Sequence, residues 1–109
     1  MTDQVVIEAA LGEADPLAAS ARFHAEFLPQ IEAALSGGAA VIAVVFDHGE
    51  DKAHAWRRTA IAALARKYAP ARVNGLAPAG PDADLQGRSA TLSFLAGNAG
   101  VTGQLLLLG

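Results

Sequence analysis

The 109-residue sequence contains no cysteine, and only one tryptophan, one tyrosine and one methionine. Without cysteine there can be no disulfide, no thiolate nucleophile and no cysteine-based zinc or iron–sulfur site, and such a composition suits the reducing cytoplasm. Positive charge is scarce too: eight Lys and Arg against eleven Asp and Glu leave a net charge of −3. Those eight are scattered along the chain and leave no footprint for a polyanion, so nucleic acid is not an expected partner. Long apolar runs are also missing. Although 52% of residues are hydrophobic and the mean hydropathy is +0.30, charged side chains interrupt every run before the roughly 18 residues that suggest a membrane span. Met1-Thr2-Asp3-Gln4 lacks the basic-then-apolar order of a secretory leader, and a soluble, cytoplasmic protein is expected. There is no internal repeat, low-complexity tail or interdomain linker. One domain of this length buries roughly two thirds of the surface its unfolded chain exposes.

What the chain does have is alternation. Gln4 to Ala10 (QVVIEAA) opens with three apolar β-branched residues and reads as a strand. Asp15-Pro16 starts a helix, because a carboxylate can cap free amides and proline fits the first turn, where no donor is needed. Leu17, Ala21, Leu28, Ile31 and Leu35 recur at helical steps, widened by Phe23 and Phe27, until Gly37-Gly38. Pro29 removes one hydrogen bond inside that helix and predicts a kink. Ala39 to Phe46 (AAVIAVVF) is uninterrupted apolar sequence, as in a central parallel strand covered on both faces. A helix follows from Asp51 to Ala69, with Trp56, Ala60, Leu64 and Tyr68 on one stripe and Ile61 and Ala65 beside it. Arg57, Arg58, Arg66 and Lys67 then fall to its wet face. Ala69-Pro70 stops this helix, Arg72 to Leu76 makes a short buried strand, and Ala77-Pro78-Ala79-Gly80 ends that strand in a loop running to Asp82. A helical stretch around Ala83 to Ala96, interrupted by Gly87, leads to a last strand, Gln104 to Leu108. This order predicts an α/β fold of about four mainly parallel strands with three crossover helices, the crossovers right-handed.

Two stretches carry a family resemblance. Arg72-Val73-Asn74-Gly75-Leu76-Ala77-Pro78 resembles the RVNAVAPG segment of the short-chain dehydrogenase/reductase family, and Val101-Thr102-Gly103-Gln104 resembles the VTGQ lead into that family's last strand. The resemblance implies a truncated Rossmann-like domain equivalent to the C-terminal half of such an enzyme, covering 1–109 as a single domain. It gives Asn74, Pro78 and Gly103 structural roles at the strand ends. The family's catalytic Asn, Ser, Tyr and Lys would fall at about Glu26, at Phe46, and at Glu50 and His54, give or take a residue or two for the last pair. The only tyrosine, Tyr68, lies at the wrong end of its helix. The family mechanism is therefore not supported, and no cofactor is expected. Gly97, Gly100 and Gly103 follow a helix and precede a strand, the reverse of a dinucleotide-binding turn, and read as turn glycines.

Asp47, His48, Glu50, Asp51 and His54 crowd the C-terminal end of the central strand, the edge where open α/β sheets place ligands. Asp47, His48, Glu50 and His54 are therefore ligand candidates, able in principle to act as acid and base or to bind a metal through oxygen and nitrogen. A solvated turn, its carboxylates favoured by the helix N-terminus, explains them more simply. His24 reads as a surface or partly buried residue. The resemblance implies that the Val5 to Ala9 strand lacks the neighbour that the family's first strand provides, and the two long helices keep broad apolar faces; the family resemblance pairs these helices with those of a second subunit. Phe23, Phe27, Trp56, Ala60 and Leu64 are the candidate interface. Three readings follow: a non-catalytic module for homodimerisation or partner binding, a small ligand-binding protein or enzyme using the Asp47–His54 turn, or one half of an NAD(P)-dependent heteromer.

Overall fold

Four strands alternate with helical segments: β1 (Gln4–Ala9), α1 (Pro16–Arg22), a π-helical turn (Phe23–Phe27), α2 (Leu28–Ser36), β2 (Val41–Phe46), α3 (Asp51–Lys67), β3 (Arg72–Pro78), α4 (Gly87–Gly97) and β4 (Leu105–Leu108). They are seen in a computed structural model that describes residues 4–12, 15–49, 51–80 and 87–109. The strands form one parallel sheet in the order β1-β2-β3-β4. This is the expected α/β arrangement of a truncated Rossmann-like domain. Residues 83–86 of the expected last helix, and the loop beyond Gly80 as far as Asp82, lie outside the described residues. Among the described residues no helix is long and apolar enough to cross a membrane.

Local chemistry accounts for the element ends. Asp15 accepts a hydrogen bond from Ala18 N at 3.2 Å, with Pro16 in the first turn where its missing donor costs nothing. At the other end of this helical run, Gly38 adopts φ +102°, and the amides of Gly38 and Ala39 donate back to Leu35 O and Ala34 O. That pair of reversed bonds needs a left-handed residue, which glycine supplies without strain. The kink expected at Pro29 takes the form of a π turn. Leu28 N–H reaches back five residues to Phe23 O, and the Gln30 side-chain amide donates to Glu26 O at 2.9 Å. The wide turn absorbs the loss of one helical hydrogen bond without ending the helix. β3 runs two residues beyond its expected end, because Ala77 and Pro78 pair with β4 after β2 has stopped pairing at Leu76. With only one neighbour there, proline removes no ladder bond that β2 would need.

The two faces of the sheet are covered unequally. On one face Phe23, Ile31 and Leu35 from the first helical run, and Ile61 and Leu64 from α3, pack against Ile42, Val44, Phe46 and Val73. Gly75 makes room on this side: a Cβ there would lie 2.9 Å from Leu105 Cδ1 and 3.2 Å from Ile61 Cγ1. On the opposite face Ala43, Leu76 and Leu95 form a smaller core with Leu92, Val101, Leu106 and Leu108. So α4 packs on the side away from α1–α3, although strand order keeps advancing in one direction. The third crossover therefore has the opposite hand to the first two, and the expectation of uniformly right-handed crossovers is corrected. Side-chain hydrogen bonds hold this rare connection. Arg72 caps the end of α4 by donating to Leu95 O and Ala96 O at 3.0 and 3.2 Å, and also to Asn98 O. Buried Asn74 donates to Val101 O at 3.0 Å and accepts from Gln104 N at 3.1 Å. Gly103, at φ +75°, donates to Val73 O.

Candidate functional site at the C-terminal edge of the sheet

The carboxyl ends of the strands converge with α4 on a cavity of about 300 Å³. Val45, Leu76, Pro78 and Leu108 make its apolar lining, and Glu8 and Arg88 contribute charge. These two form an ion pair of 2.7 Å linking β1 to α4. Asp47 and His48 also border the cavity, His48 exposed to solvent. An apolar pit with charge at its border suits a small molecule with one polar end. Neither Glu8 nor Arg88 stands out in the sequence, because only the third crossover brings α4 back over β1.

Asp47 is committed to structure. Its Oδ2 accepts from Gly12 N at 2.8 Å, tying the loop after β1 to the end of β2. Its backbone carbonyl accepts from Arg57 Nη1 at 2.8 Å, and its Oδ1 lies 3.4 Å from Arg57 Nη2. Arg57 is only 1% exposed, which corrects its assignment to the wet face of α3. Its guanidinium lies over the rings of Phe46 and Trp56, 4.8 and 5.7 Å from their centroids. Stacking on aromatic faces suits a weakly hydrated, planar cation and offsets part of its desolvation. Burial still pulls the Arg57 pKa below its ordinary value, against the opposing pull of the Asp47 charge. The signal was in the spacing: Arg57 stands three residues after His54 and four before Ile61, on the stripe that is buried. Counting only apolar residues misses it. Gly49 permits the close approach, since a Cβ there would lie 3.0 Å from both Arg57 Nη1 and Ala53 Cβ.

The other sequence candidates do not converge. His54 is 2% exposed, inside the protein rather than at the open edge. Glu50 lies outside the described residues. Among the described residues no group of three His, Asp or Glu could hold a metal ion. Phe46, at the family's serine position, is 2% exposed and belongs to the core. Glu26, near the asparagine position, is ion-paired to Arg22 at 2.6 Å on the outside of the first helical run. Tyr68 hydrogen-bonds to Glu32, which also binds Lys67 at 2.8 Å, at the far end of α3. The Lys67 and Tyr68 hydrogen bonds hold the Glu32 carboxyl below its usual range, and bonding to Glu32 raises both Lys67 and Tyr68.

A second concavity, of about 170 Å³, runs between α2 and α3, lined by Leu28, Ala60, Ala63 and Leu64 with His24, Glu32 and Lys67 around it. Of the candidate interface residues, Phe23 and Leu64 are 0% and 5% exposed and serve the chain's own core. Phe27, Trp56 and Ala60 are half-buried against that core.

A parallel sheet with its cavity at the strand carboxyl ends defines a Rossmann-like α/β protein. The chain belongs to the short-chain dehydrogenase-like family, whose family model, described as short chain dehydrogenase-like protein, matches residues 7–108. No curated protein and no solved structure matches the chain.

Proposed function

We propose that this chain is a non-catalytic Rossmann-like module that binds a protein partner, in the first instance a second copy of itself, through the α2–α3 face. The observation that carries the reading is the fate of the family's reacting positions: Phe46 fills the core where a serine would stand, and the only tyrosine is bonded to Glu32 away from the cavity. Neither Phe46 nor Tyr68 offers a proton donor to the cavity. The α2–α3 groove supports the binding role. Ala60 and Ala63 keep its floor small enough for another helix to approach closely, and Glu32 and Lys67 lend it charge of both signs. Sedimentation of the chain beside its Ala63→Glu variant tests this. The wild type is expected to self-associate and the variant to do so at least ~tenfold more weakly, since a carboxylate would be placed in an apolar contact. Turnover of NADH or NADPH with carbonyl substrates would sink the non-catalytic part.

The 300 Å³ cavity favours a second reading, a small-molecule site bordered by Asp47, His48, Glu8 and Arg88. Titration with NADH, NADPH and apolar carboxylic acids, read by the fluorescence of Trp56, separates it from the first. Saturable quenching, abolished by narrowing the cavity with Val45→Phe, supports a ligand role; no response leaves the module reading.

A further inference from the structure

The sheet stops at β1, and among the described residues no strand pairs with its outer side. Edge strands are commonly protected by proline, lysine, a bulge or a covering segment, because their free amides and carbonyls offer a template to another chain. β1 has few such devices. Its sequence QVVIEA holds no proline and no lysine, and its six residues pair with β2 without a break in register. Val5 and Val6 point to opposite faces and are 36% and 39% exposed. The one charge on the strand, Glu8, is already neutralised by Arg88.

We propose that β1 pairs with β1 of a second copy, antiparallel about a two-fold axis at Val6, fusing the two sheets into one. Side-chain complementarity selects this occupant and this register. With Val6 opposite itself, Gln4 faces Glu8 and Val5 faces Ile7, so each carboxylate meets an amide and β-branched side chains meet each other. Gln4 Nε2 is shielded from water and has no hydrogen-bond partner among the described residues. Glu8 of the second copy brings an acceptor to the cross-strand position. A parallel in-register pair would set Glu8 against Glu8, and moving the antiparallel axis toward Ile7 sets a valine opposite Glu8. The contact is isologous and closes on itself, so each copy uses its β1 edge once. It rests on the reading of the chain as a self-associating module, and adds to the α2–α3 face a surface of different chemistry.

Sedimentation over a wide concentration range, with amide exchange of residues 5–9, decides the matter. The wild type is expected to self-associate, with exchange of these amides slowing as concentration rises. Val6→Lys, which sets two ammonium groups against each other, is expected to weaken the dimer roughly tenfold or more. Gln4→Glu is expected to weaken it by opposing Glu8, whereas Gln4→Lys retains or tightens it; should Val6→Lys fail to fold, these two variants at the half-buried strand end carry the decision. Equal affinities for Gln4→Glu and Gln4→Lys overturn the antiparallel register. A dimer untouched by Val6→Lys overturns the edge contact and leaves association through α2 and α3 standing. A wild-type chain that stays monomeric overturns both.

Discussion

Arg57 is the residue whose role departs furthest from its chemistry on paper. A guanidinium in the core needs compensation, and it has three sources: the Asp47 carbonyl, the Asp47 carboxylate and two aromatic faces. Together they join α3 to the end of β2, and through Asp47 to Gly12. Arg57→Met keeps much of the volume but leaves the Asp47 carbonyl without its donor. The expected loss is about 2 kcal/mol, read as a lower denaturant midpoint. Arg58→Met on the exposed side of the same turn should stay within about 0.5 kcal/mol. Equal effects would refute the distinction between the two arginines. The neighbouring histidines divide the same way. His48 is exposed beside the cavity and His54 is buried, although both look alike in a cluster of polar letters.

Among the elements, the connection from β3 through α4 to β4 bears the greatest topological demand. Right-handed crossovers dominate because strand twist and helix packing favour them, so a change of hand has to be held by specific contacts. Arg72, Asn74 and Gly103 supply them, all within or against β3. Asn74→Ala would strip the half-buried Val101 carbonyl and the Gln104 amide of their partners, and a loss of about 1–2 kcal/mol is expected. Hydrogen exchange should show residues 98–104 losing protection before the rest of the sheet; uniform loss throughout would show that Asn74 is not the local tie. The RVNG and VTGQ stretches pointed to Asn74 and Gly103 as structural, but not to Arg72 or to what the three hold in place.

Across the whole molecule, the tie between α2 and α3 makes one pH-dependent contribution to stability. The folded pKa of Glu32 lies below the ordinary carboxyl value of 4.5. Its contribution is therefore present above that value and is lost as pH falls through the folded pKa. Tyr68 and Lys67 are raised above 10.0 and 10.5, so theirs is complete below those values and is lost as pH rises past them. Melting temperature against pH should therefore fall less steeply on the acid side in Glu32→Gln than in the wild type; parallel curves would show that Glu32 plays no part. The uneven covering of the sheet is also a property of the whole. Three helical segments serve one face on the α1–α3 side and α4 alone the other, leaving Val6 open at the edge.

Element identity lay in the letters, because caps, glycine stops and apolar runs act over a few neighbouring residues: Asp15-Pro16, Gly37-Gly38 and the β2 run each mark what forms there. The two matched stretches also carried the family and the parallel α/β class. Which side of the sheet α4 takes, the burial of Arg57 against Phe46 and Asp47, and the meeting of Glu8 with Arg88 depended on packing between segments tens of residues apart. Such contacts are settled only when the sheet has closed against its helices, since a charge is buried or exposed according to what arrives beside it.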